Sequence, residues 1–236
     1  MISRSAICAA NNADWYGAMF RAHAIDQHRD QHLWKCTKKA PAFHSNLVTL
    51  DKGNKIEINS AINEIRSSLS HPWALKDSFA NLNLEMQGFK ILFEASWVWR
   101  DAKDKPHFPK GDWIEIKSQV DLQKWELAWR KGQTLNSDQQ FPNALLADAS
   151  VTIYGKRQNQ EFSAGAIANR SPDAMGISNC FSHAADPAKD YAQAVEIIHD
   201  LQPNLPLVSF ERGRYLTFAL QSGFKTVGDL RVWHTL

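Results

Sequence analysis

Ala219-Leu220-Gln221-Ser222-Gly223-Phe224-Lys225, running on into Val227-Gly228-Asp229-Leu230-Arg231-Val232-Trp233, sets the fold class of this chain. Apolar residues at helical spacing from Tyr215 to Ser222 predict a helix, and Gly223 is the residue that accepts the left-handed turn ending it. Alternation from Thr226 to Trp233 then predicts a strand. The same passage occurs earlier, where Gly88-Phe89-Lys90 leads to the tryptophan-ending strand Trp97-Val98-Trp99-Arg100. A helix, a glycine and a long strand, used twice, read as a mixed α/β chain built from a repeat.

Upstream of the quoted stretch, helix and strand alternate. Leu207–Phe210 is a short apolar strand, preceded by the stop signals Pro203 and Pro206. Asp186-Pro187 opens a helix whose buried face is Tyr191, Ala194 or Val195, Ile198 and Leu201. Met175–Ser182 is a strand, and Val151–Tyr154 with Phe162–Asn169 forms a hairpin around the turn-like stretch Gly155–Gln160. Before it stand a short helix over Phe141–Ala147 and a strand over Trp113–Lys117. That strand leads to a helix with Asp121 as N-cap and Leu122, Trp125 and Trp129 on one face.

The first half runs through much of the same series. Ser45-Asn46 opens a strand as Ser178-Asn179 does, and Ala61, Glu64 and Ile65 sit in a helix as Ala194, Glu196 and Ile197 do. Each helix leads to a short strand ending in an acid, Asp77 or Glu211, and then to a helix closed by the Gly-Phe-Lys triplet. Ile2–Cys8 reads as a strand entering a helix around Trp15 and Phe20. Between Ile25 and Phe43 the chain is too short for a second helix and a hairpin, so this copy is abbreviated. The charged stretch Asp101–Gly111, with Pro106, Pro109 and Gly111, is the natural boundary, which divides the chain into 1–103 and 112–236.

Composition narrows the function classes. At 236 residues, 44% hydrophobic and 22% charged, the chain can bury a real core. Its net charge of +2 comes from interleaved signs with no basic run, which argues against nucleic acid as a partner. Cys8, Cys36 and Cys180 are too few and too scattered for a disulfide scaffold and suit a reducing cytoplasm. Met1–Ala10 lacks a signal-peptide core and no run approaches the roughly 18 apolar residues of a membrane span, so a cytoplasmic protein without membrane partners is expected. His28, His32 and Cys36 recur every fourth residue, which would align them on a helix. No fourth ligand accompanies them and no metal is expected. The nine tryptophans, by their spacing, fill cores and interfaces.

The order strand, helix, helix, hairpin, strand, helix, strand, helix, strand over residues 112–236, with Ala219–Phe224 running into Val227–Val232, resembles a GNAT acyltransferase domain. The whole is similar to tandem-GNAT proteins: two halves, each a mixed sheet flanked by helices, the N-terminal one abbreviated. The resemblance implies transfer of an acyl group from acetyl-CoA or another acyl-CoA to a small-molecule, amine-bearing acceptor. It also implies a cleft where the fourth and fifth strands splay, and a glycine loop whose amides hold the pyrophosphate at a helix N-terminus. His183–Lys189, the matching stretch of the second half, has no glycine, contains Pro187 and places Asp186 where anions would sit. In the first half Lys52, Gly53, Asn54 and Lys55 supply one glycine and two cations, and equally suit a solvated turn capping a helix.

The family's leaving-group acid, a tyrosine four residues before Gly-Phe, is replaced by Ala219 in one half and Leu84 in the other. Acyl transfer to an amine still needs a base, and Glu211 is the first candidate, His183 the second. Each has a structural reading: Glu211 and Asp77 as caps of the next helix, His183 as a surface residue. Ser178 and Asn179 lie on the strand bordering the expected cofactor cleft, where they bind cofactor or fix the strand edge. The alternative function is a catalytically inactive GNAT-like module that binds a small molecule or a protein in the old cleft, favoured by loss of the loop and the tyrosine.

Overall fold

The computed structural model describes residues 2–104, 108–131 and 139–235; Pro106 lies outside them. In chain order the elements of the first half are α1 (Arg4–Ala22), β1 (His28–Arg29), β2 (Leu33–Lys35), β3 (Leu47–Thr49), α2 (Lys55–Ser68), β4 (Ala74–Asp77) and β5 (Phe89–Arg100). The second half follows with β6 (Trp113–Glu115), α3 (Gln119–Trp129), β7 (Val151–Gln158), β8 (Glu161–Arg170) and β9 (Met175–Ser182). It ends with α4 (Pro187–Leu201), β10 (Leu207–Glu211), α5 (Gly213–Gln221) and β11 (Lys225–Thr235). Single 3₁₀ turns cover Glu85–Gln87 and Asn143–Ala147. The mixed α/β reading holds.

Among the described residues the strands form one sheet in the order β1-β2-β3-β4-β11-β5-β10-β9-β8-β7-β6. At its centre the halves interleave. β11 lies between β4 and β5, and β5 lies between β11 and β10, all antiparallel. Away from this centre each half carries one short parallel pair, β3 with β4 and β9 with β10. Helices cover both faces. Trp15, Tyr16, Met19 and Phe20 of α1 share a core with Leu122 and Trp125 of α3. On the other face α2 buries Ile58, Ile62 and Ile65 against Leu47, Leu75 and Trp233, while α4 and α5 cover Val98, Ile177 and Leu207.

Several local expectations change. Ile2–Cys8 does not form a strand: α1 begins at Arg4, its first turn capped by Ser3 Oγ accepting from the Ala6 amide at 3.2 Å, and its alanine-rich start favours helix. His28 and Cys36 share no helical stripe with His32, because that stretch is the hairpin β1–β2, with His28 exposed and Cys36 buried. Ser118, rather than Asp121, caps α3; its hydroxyl accepts from the Asp121 amide and donates to the Asp121 carboxylate. The hairpin turn contracts to Asn159-Gln160, both at positive φ, so β7 runs through Gly155 to Gln158.

The helix expected before Gly88 shrinks to the 3₁₀ turn Glu85–Gln87, because Asp77 spends the preceding residues on a turn. Its carboxylate accepts from the amides of Phe79 (3.3 Å) and Leu82 (2.8 Å). Gly88 and Gly223 nevertheless do the same work, at φ +80 and +87.

Candidate functional site

β9 and β10 pair over two rungs only, Met175 with Leu207 and Gly176 with Val208. β9 continues to Ser182 and β10 to Glu211, so beyond those rungs the strands part. The gap is bordered by Ser178, Asn179 and Cys180 on one side and Ser209, Phe210 and Glu211 on the other. β9 also changes phase here. Ser178 pairs with Ile167 and Phe181 with Gly165, so Asn179 and Cys180 form a bulge opposite Ala166. Asn179 takes φ +52, a conformation its short polar side chain tolerates better than most.

That bulge decides which side chains face the helices. Met175 and Ile177 face α4, and strict alternation would send Asn179 and Phe181 after them. With the extra residue, Cys180 joins the α4 face and Phe181 turns to the α1 and α3 side against Trp125. Cys180 therefore meets Tyr191 and Tyr215 at the lining of one small cavity.

Glu211 points to the same face and caps nothing: α5 begins at Gly213, and its N-cap residue, Arg212, makes no side-chain cap. The expected capping role is thus replaced by a polar cluster. Glu211 Oε1 accepts from Tyr191 Oη at 3.0 Å and from Ser209 Oγ at 2.8 Å. Both bonds end on that oxygen, and among the described residues Oε2 accepts none. Desolvation raises the Glu211 pKa to about 7, against the opposing pull of its two hydroxyl donors. The neighbouring Tyr191 and Cys180 are pushed well above their ordinary values, by burial first and then by the Glu211 charge. Glu211 also lines a cavity of about 520 Å³ with Glu94, Ser96, Arg212, Leu216 and Asp229.

His183 is elsewhere. Its ring bonds to the Ala128 carbonyl at 2.8 Å and lines a cavity of about 840 Å³ between α3 and the β7–β8 hairpin. Glu211 and His183 therefore do not share a cavity. Ser178 and Asn179 border the same gap as Glu211, and their side chains bond to each other at 3.1 Å.

Lys52, Gly53 and Asn54 lie in the first half between β3 and α2, Lys55 opens α2, and the amides of Gly53, Asn54 and Lys55 are already engaged. Asp51 Oδ1 accepts from Gly53 N at 2.9 Å and from Asn54 N at 3.4 Å, and Asn54 Oδ1 caps α2 through Glu57 N at 3.2 Å. Asp51 is held in turn by His32. At α4 Asp186 Oδ1 accepts from Lys189 N at 3.1 Å and Pro187 offers no N–H. The residues at both helix starts do not fit a pyrophosphate in the family's manner.

The parallel rungs also correct the repeat alignment. Counted from the first rung of each pair, Leu75 matches Leu207, so Asp77 matches Ser209 and Glu211 matches Phe79. Ser45-Asn46 precedes its rungs while Ser178-Asn179 follows its own, and Asn46 Nδ2 is spent on the carbonyls of Cys36 and Lys38. Sequence reasoning missed Cys180, Tyr191, Ser209 and Tyr215. Ser209, two residues before Glu211 and so on its side of β10, was the one signal available.

Compared with known proteins, no protein-family model matches the chain, and no curated protein matches it in sequence. Solved structures do. A GCN5-related N-acetyltransferase from Kribbella flavida superposes with a TM-score of 0.67 at 13% identity, covering 100% of this chain and 96% of its own. A putative acetyltransferase from the GNAT family of Novosphingobium aromaticivorans gives 0.59 at 10% identity, with 93% and 96% covered. A tandem GNAT protein from the clavulanic acid biosynthesis pathway gives 0.50 at 10% identity, with 80% and 73% covered.

Proposed function

Taking the GNAT fold as premise, we propose that this protein transfers an acyl group from a thioester of the acetyl-CoA type to a small-molecule amine, with Glu211 as general base. The observation that carries this reading is the Glu211 carboxyl at the parted ends of β9 and β10. One oxygen is fixed by Tyr191 and Ser209, the other has no bond among the described residues, and the pKa is about 7. A base poised near neutral pH accepts a proton from an ammonium group and still exists substantially in its ionised form. Attack by the freed amine on the thioester carbonyl forms the C–N bond, breaks the C–S bond and leaves a thiolate to be protonated. Tyr215 stands one helical turn before Ala219 on α5 and supplies a hydroxyl on the stripe where the family's tyrosine is missing.

Thermal denaturation with acetyl-CoA, paired with thiol release in the presence of a panel of primary amines, tests the proposal. A ligand that binds only the folded state raises the melting temperature. A shift together with amine-dependent thiol release is expected; no shift and no release would sink it. The second reading, a non-catalytic binding module, is favoured by Asp51 and Asp186 occupying the helix starts. It predicts a shift without release.

A further inference from the structure

Resting on the acyl-transfer reading, we infer that the donor is recognised through its thioester arm alone: the protein takes uncharged, amide-bearing thioesters of the S-acylpantetheine type and does not read a nucleotide pyrophosphate. A pyrophosphate is held in such folds by unspent amides and positive potential at a helix start, and here an acid of the chain already bonds amides at each helix start. At α4 the Lys189 amide is bonded to Asp186, Pro187 has none to give, and the Ala184 amide goes to Ser182 Oγ at 3.1 Å. A second acid, Asp190, stands one turn on. It accepts from Ser182 Oγ at 2.6 Å and pairs with Lys156 at 2.9 Å, so that cation is committed.

At α2 the arrangement is repeated with different residues. The amides of Gly53 and Asn54 go to Asp51, that of Glu57 goes to Asn54, and His32 sits between Asp51 and Glu57. Lys52 lies over the Phe79 ring at 5.8 Å. A diphosphate arriving at either end would have to expel a bonded carboxylate and meet a second one. The gap between β9 and β10 carries no such obstacle. Its walls are strand backbone without a ladder partner across it, which suits a neutral chain of amides ending in a thioester.

Titration calorimetry of the full chain with acetyl-CoA, S-acetylpantetheine and adenosine bisphosphate tests the inference. S-acetylpantetheine is expected to bind within about threefold of acetyl-CoA, with adenosine bisphosphate failing to compete. Asp186→Asn combined with Asp51→Asn, which leaves a competent cap at α4, should tighten acetyl-CoA and leave S-acetylpantetheine unchanged. Acetyl-CoA binding roughly tenfold tighter than S-acetylpantetheine, or competition by adenosine bisphosphate, would overturn the inference while leaving acyl transfer standing. Binding of neither thioester would bring down the acyl-transfer reading itself, and this inference with it.

Discussion

Glu211 is the residue at which chemistry and stability can be separated by pH. Its acid form is favoured by desolvation, and its folded pKa of about 7 lies above the unfolded carboxylate value near 4.5. The base is therefore active only above its folded pKa, so kcat/KM should rise with pH and level off past about 7. Glu211→Gln should lower kcat/KM by roughly 10²- to 10⁴-fold and abolish that rise. Stability moves the opposite way. Between about 4.5 and 7 the folded state holds the proton that the unfolded state has released, so the group's contribution falls as pH rises through that window. Because Gln mimics the protonated acid, the variant should melt higher than the wild type above pH 7 and nearly level with it near pH 4.5. Melting curves across that range check the sign.

At the scale of elements, the attachment of α1 to the parallel strands rests on a small glycine. Gly176 lies under a buried amide pair in which Asn169 Nδ2 donates to the Asn11 carbonyl at 3.1 Å and to Asn11 Oδ1 at 3.2 Å. Asn11 Nδ2 in turn reaches Ser171 Oγ at 3.0 Å. A Cβ at Gly176 would collide with both asparagine side chains. Gly176→Ala should therefore cost about 1–3 kcal/mol, as overpacking in a closed core does, and loosen α1 first. Urea denaturation gives the cost, and amide exchange at Asn11 and Asn12 locates it. The elements of the second half were readable because their patterns are local: Asp186 and Pro187 start α4, and Gly223 ends α5. Ile2–Cys8 reads as a strand because a few alternating residues cannot tell a strand from the first turns of a helix buried on several sides.

The halves are joined at the centre of the whole molecule by exchanged strands and by one buried ion pair. Arg100 on β5 and Glu196 on α4 are fully buried and bond through Nη1–Oε1 at 3.1 Å and Nη2–Oε2 at 3.3 Å. Such a pair adds little net stability over a well-packed apolar equivalent, but losing one member strands a charge. Glu196→Ala should cost about 3–5 kcal/mol, whereas Arg100→Met with Glu196→Leu should recover most of that loss. A double-mutant cycle by chemical denaturation measures the difference. With β5 between β11 and β10, unfolding of wild-type protein should show one calorimetric transition.

Read alone, the chain fixes part of its local grammar: where α4 starts, where α5 stops, and that a glycine turns the chain before β5 and β11. Those features depend on neighbours a few residues apart, and residue type is enough to set them. The identity of the site depends on distant packing. The bulge at Asn179 that turns Cys180 toward Tyr191, the pairing of Glu211 with Tyr191 rather than with α5, and the interleaving of β5 with β11 each arise from contacts across the sheet. So does Asp51's place in the α2 anion seat, since His32 on another segment holds it there. A one-residue shift of phase reverses every side chain beyond it, and no local pattern records that shift until the partner strand is in place.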